Sequence, residues 1–103
     1  MSDNQLTERL AVQVLGWRRA PGRFIKPGRG WTPDWCFQPL VNLADAFQVL
    51  DRAGAKYKLS CERDGSFTAQ VQIGRNVGKA SGKSKARTIC LAVAQALGIE
   101  VDQ

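Results

Sequence analysis

The chain has 103 residues, room for one domain and one modest core. Fifteen Lys and Arg face nine Asp and Glu with no His, a formal charge of +6 and a pI near 9.7. That balance favours anionic partners and disfavours His-based catalysis. The apolar content excludes a disordered chain, and no signal peptide or long apolar run appears, so a cytoplasmic protein without a membrane partner is expected.

The charge is segregated. Trp17 to Pro33 carries Arg18, Arg19, Arg23, Lys26 and Arg29 with no acid. Gly65 to Ile99 carries Arg75, Lys79, Lys83, Lys85 and Arg87, again with no acid. Convergence of the two runs would create one positive surface. The cysteines Cys36, Cys61 and Cys90 lack C-x-x-C spacing, which argues against a disulfide framework and a zinc site. Each is expected to act as a small apolar residue.

In chain order, Leu6, Leu10 and Val14 repeat every four residues and predict a helix over 4–15. Ser2, Asp3 or Asn4 caps it, and Gly16 stops it. Residues 17–34 hold Pro21, Pro27 and Pro33 with Gly22, Gly28 and Gly30, so an irregular loop is expected, with a brief strand at Phe24 and Ile25. Trp17 belongs to the core; Phe24 and Trp31 fit either the core or a ligand face. A second helix follows Asn42 as cap, with Asp45 at its third position. Leu43, Phe47 and Leu50 form its expected buried stripe, joined by Ala46, and Gly54 ends it.

Tyr57, Leu59 and Cys61 alternate with polar residues, as do Phe67, Ala69, Val71 and Ile73. Asp64-Gly65 between them predicts a hairpin turn. Gly74-Arg75-Asn76 marks a second turn, leading into a short strand at 77–81 where Gly78 permits close approach of a backbone or ligand. Ser84 opens a last helix carrying Ile89, Val93, Ala96 and Leu97, which Gly98 stops. The expected architecture is a single α+β domain over 1–103: an antiparallel sheet, hairpin plus third strand, sandwiched by helices.

The order L-T-E-R-L-A-V-Q-V-L-G-W, then W-T-P-D-W-C-F-Q-P-L-V-N-L-A-D-A-F-Q-V-L-D-R, a hairpin and A-R-T-I-C-L-A-V-A-Q-A-L-G resembles the phage ABA-sandwich domain family. The resemblance covers roughly residues 5 to 98. It implies an antiparallel sheet between helical layers in a phage or prophage protein. Phage anti-Thoeris sponges, which sequester cyclic ADP-ribose-type signals, are similar in size and organisation. That kinship implies a homo-oligomer with nucleotide pockets between subunits, and it transfers no binding residue.

Several residues invite a chemical reading. Asp34 beside Trp35 reads as a cap or turn residue rather than a catalytic acid. Cys36, without a His to form a thiolate, reads as buried. Gly82-Lys83-Ser84 ends like a P-loop, but Val77 stands where the first glycine is required, so nucleotide hydrolysis is rejected. The start of the last helix still offers free N–H groups beside Lys83, Ser84, Lys85 and Arg87. The tract from Trp17 to Trp31 interleaves aromatics, which stack on bases, with arginines, which grip phosphate.

These residues predict a non-enzymatic protein, with neither cofactor nor metal, that binds a phosphate-bearing small ligand; the family resemblance implies that this ligand is a nucleotide signal of bacterial immunity, which the protein sequesters. Its expected ligand residues are Arg18, Arg23, Arg29, Trp31, Trp35, Arg75, Lys79, Lys83, Ser84 and Arg87. The alternatives are a nucleic-acid-binding or protein-binding inhibitor of a host defence complex, or a structural oligomerisation module.

Overall fold

Ser2 starts the first helix by a reciprocal cap: its hydroxyl accepts from the Gln5 amide at 3.2 Å, and the Gln5 side chain accepts from the Ser2 amide at 2.9 Å. The structure is a computed structural model that describes residues 2–28 and 30–99. Helix α1 (Asp3–Gln13) buries Leu6, Leu10 and Ala11, and Gly16 turns the chain away at φ +71°.

The stretch expected to be irregular is instead a three-stranded antiparallel meander. Its strands are β1 (Arg18–Ala20), β2 (Arg23–Ile25) and β3 (Trp31–Pro33). The physical reason lies in its turns. Pro21-Gly22 joins β1 to β2, with Gly22 at φ +70°, which suits Pro and Gly in the middle of a type II turn. Pro33 is tolerated because β3 is an edge strand. The expected brief strand at Phe24 and Ile25 is β2.

A single 3-10 turn at Asp34–Cys36 leads to α2 (Leu43–Arg52). Asn42 caps α2 by accepting from the Asp45 amide at 3.1 Å, and Asp45 in turn accepts from the Gln38 amide at 2.9 Å. The buried stripe of α2 is Ala46, Val49 and Leu50; Leu43 is exposed and Phe47 half-buried. The helix is thus rotated from the expected stripe, because it packs on the last helix, with Phe47 reaching the sheet at Tyr57.

The second sheet has the order β4 (Lys56–Cys61), β5 (Phe67–Ile73) and β6 (Asn76–Gly82), all antiparallel. Asp64-Gly65 forms the predicted turn. The Ser66 hydroxyl and amide both donate to the Asp64 carboxylate, holding its pKa below the ordinary value. Helix α3 (Lys85–Ala96) lies across β5 and β6 and buries Ile89, Cys90, Ala92 and Val93. Phe67, Ala69 and Val71 of β5 are covered by it. On β4, the same face is only partly covered, so Tyr57 and Cys61 are exposed.

The class is therefore α+β, as expected, with the hairpin and third strand packed under helices. The first sheet is backed by α1, the second by α3. An aromatic trio locks the first sheet to the core: Trp17, Phe24 and Phe37 have ring centroids 5.0 to 6.1 Å apart. Such tilted and edge-on pairs each add about 0.5–1.5 kcal/mol beyond burial.

Candidate functional site

Directly paired residues of an antiparallel sheet share a face, so the register of the first sheet sorts its side chains. Arg19, Phe24 and Thr32 face the core side. Phe24 is buried there, with the Arg19 guanidinium 5.1 Å from its ring centroid. Arg18, Ile25 and Trp31 form one row of the opposite face; Ala20, Arg23 and Pro33 form the next. The period of two thus brings Arg18, Arg23 and Trp31 onto one solvent-facing surface. Trp31 is 57% exposed, and the Arg23 guanidinium sits 5.4 Å from its ring centroid. Strands about 4.8 Å apart put the Arg18 and Trp31 backbones about 10 Å apart. Among the described residues neither arginine forms an ion pair.

The core side of the same sheet opens into a cleft of about 270 Å³ between α1 and the 3-10 turn. Phe24, Trp35 and Phe37 supply its aromatic lining, and Asn4, Gln5 and Gln38 its amides. Arg19 and Asp34 meet across it at 3.0 Å. Glu8 also lines it, so one cation faces two carboxylates and the cleft does not suit phosphate. Trp35 is 70% exposed. It is held where it is by the 3-10 turn and by the Gln38 side-chain amide, which donates to the Trp35 carbonyl at 3.1 Å. Cys36, expected to be buried, is exposed because it ends this turn at the surface.

The second basic run is dispersed over the second sheet and the start of α3. Arg75 sits in the β5–β6 turn and Lys83 just beyond the far end of β6, roughly 25 Å apart at the rise of a strand. Lys79 lies mid-strand. The Ser84 hydroxyl caps α3 by accepting from the Arg87 amide at 3.3 Å. Arg87 itself donates to the Asp3 carboxylate at 2.9 Å, so it is neutralised rather than waiting for a ligand. Of the ten predicted ligand residues, Arg18, Arg23 and Trp31 come together. Trp35 flanks the cleft, and Arg75, Lys79, Lys83, Ser84 and Arg87 belong to the other sheet and helix. Arg29 lies outside the described residues. The second run is therefore spread over a strand, its turn and a helix start rather than gathered into one site.

The sequence places Arg19 in the first basic run and Asp34 beside Trp35, but nothing in it joins these two with Glu8 of α1 in one cleft. The meander's register turns Arg19 toward the cleft, whereas Glu8 and Asp34 arrive from α1 and the 3-10 turn, which only the tertiary fold brings together.

This arrangement of two small sheets and three helices has a solved counterpart. The chain shares its fold with a phage protein. That protein is from Bacillus cereus ATCC 14579; its crystal structure matches with a TM-score of 0.78 at 18% identity, over 99% of this chain and 93% of that one. No family model matches the sequence, and no curated protein matches it. Among the described residues no helix is long and apolar enough to cross a membrane.

Proposed function

We infer that the protein is a non-catalytic binding protein that takes a phosphate-bearing nucleotide on the outer face of its first sheet. The observation that carries this reading is the shared face of Arg18, Arg23 and Trp31. Two guanidinium groups without acid partners among the described residues suit phosphate, because Arg presents paired donors to its oxygens. The exposed indole of Trp31 offers a stacking surface for a base, which contributes about 1–3 kcal/mol. The lack of any His supports binding over proton-transfer catalysis.

The phage origin of the structural neighbour supports a more specific role, in which the ligand is a nucleotide signal of bacterial immunity held away from its receptor. Isothermal titration with ADP, ADP-ribose and cyclic ADP-ribose tests the reading, with inorganic phosphate as the control. Heat from at least one nucleotide, reduced at least tenfold in affinity by Arg23→Ala, is the expected result. Absence of heat with all three contradicts it.

A further inference from the structure

The outer face of the second sheet is a separate and more uniform charge surface. Register places Lys58, Gln70 and Lys79 in one row and Lys56, Gln72 and Val77 in the next. A third row holds Ser60, Thr68 and Ser81, the last two bonded hydroxyl to hydroxyl at 3.0 Å. No acid stands in any of these rows. No helix covers them, since α3 occupies the other face with Ala69 and Val71. All three lysines are exposed, and none forms an ion pair among the described residues.

A wet sheet face ordinarily mixes both signs, because like charges on neighbouring strands repel. Here three ammonium groups lie on one face, and their neighbours are amides, hydroxyls and the exposed Val77, with no carboxylate among the rows. Lys56 and Lys58 are about 7 Å apart along β4, and Lys79 is about 10 Å from Lys58 across β5, at ordinary strand spacings. A groove of about 180 Å³ runs among Lys56, Lys58, Gln70 and Gln72, with Tyr57 at its side. Arg75, in the turn next to the Gln72 end of the face, extends the positive charge without an acid.

We propose that this face grips nucleic acid by its phosphate backbone, independently of base sequence. Lysines neutralise phosphates, and Gln, Ser and Thr donate to phosphate and sugar oxygens, contacts that position a duplex without reading it. The face is made of strands alone and lacks an element that could enter a groove of the duplex, which is why no base selection is expected. Charge complementarity identifies the partner: a repeating array of phosphates is the anion that a row-wise spread of cations neutralises better than any single small ligand. The site does not depend on the first sheet, whose arginines are carried on separate strands.

The test is fluorescence anisotropy of a labelled random-sequence 20-base-pair duplex, titrated with the full chain at several KCl concentrations. Binding that weakens linearly with log salt is expected, since each neutralised phosphate releases counterions and contributes a slope of about −0.9. The Lys56→Gln, Lys58→Gln, Lys79→Gln triple variant should lose roughly two to three units of that slope, the Arg18→Ala, Arg23→Ala variant none. Thermal melts of both variants check that they fold. An unchanged slope in the folded lysine variant overturns the proposal. So does absence of duplex binding at low salt. Binding of the same lysine-dependent kind to anionic lipid vesicles but not to DNA also overturns it. Loss of nucleotide binding by the arginine variant, with DNA binding intact, would leave this proposal standing and bears only on the first sheet.

Discussion

Gly78 on β6 lies directly against Ala92 on α3. A side-chain carbon at Gly78 would overlap the Ala92 carbonyl oxygen and stand 2.7 Å from the Ala96 amide nitrogen. The strand and the helix backbone therefore meet where neither has a bulky side chain. Gly78→Ala must push α3 off the sheet, and overpacking of this kind costs typically about 1–3 kcal/mol. A chain of this size loses about 4–8 °C in Tm per kcal/mol. A thermal melt of Gly78→Ala should show a drop of several degrees; a wild-type Tm would contradict the packing.

Cys90 is the buried thiol of the same helix. It donates to the Pro39 carbonyl at 3.2 Å, and burial pushes its pKa up to about 12, against a smaller lowering by Arg87. In the unfolded chain the thiol ionises near pH 9, so above that pH the unfolded state sheds a proton the folded state keeps. Stability from this group is intact below pH 9 and falls between pH 9 and about 12, by about 1.4 kcal/mol per pH unit. Denaturant melts at pH 8 and 10.5 should show a steeper loss in the wild type than in Cys90→Ala. At pH 8 a thiol reagent should modify exposed Cys36 and Cys61 quickly, and Cys90 only after unfolding.

Arg87 illustrates how a cation can be spent inside the fold. Its bond to Asp3 ties the start of α1 to the first turn of α3; Asp3 is largely solvated and Arg87 partly so. Such a pair contributes about 0–1 kcal/mol. Arg87→Ala should lower Tm by only a few degrees and leave nucleotide affinity unchanged. A tenfold loss of affinity in calorimetry would return Arg87 to the binding surface.

The large sheet and three helices were legible because their signals are local. Asn42 and Ser84 cap where they were expected to, Asp64-Gly65 turns, and Gly78 admits a backbone. The meander was hidden because its strands are three residues long, too short for a period of two to register. Beyond the brief strand expected at Phe24 and Ile25, its signals were the Pro21-Gly22 and Pro27-Gly28 pairs, which fit an irregular loop equally well. The candidate site was half legible. Composition found Arg18, Arg23 and Trp31, but facing is set by register, so Arg19 one position away points into the cleft instead. The convergence of the two basic runs was not a local property. Lys83 and Arg75 are eight residues apart in sequence, and an extended β6 separates them as far as a chain of that length allows. Lys56 and Lys58 went unnoticed because they precede the acid-free run and join Lys79 only through sheet pairing.

The first-sheet site also predicts a division of labour between its aromatics. Trp31→Ala should weaken nucleotide binding by about 1–3 kcal/mol through lost stacking. Trp35→Ala, on the cleft side, should change it little. Equal losses in both variants, measured by calorimetry, would move the base into the cleft.

The most direct test is a fluorescence titration of the wild type with cyclic ADP-ribose and ADP-ribose, repeated with Trp31→Phe and with Arg18→Ala, Arg23→Ala. A saturable change in tryptophan emission that vanishes in the Phe variant, and shifts to at least tenfold higher concentration in the arginine variant, is the predicted result. An emission change of the same size and midpoint in all three proteins would contradict a nucleotide site on the outer face of the first sheet.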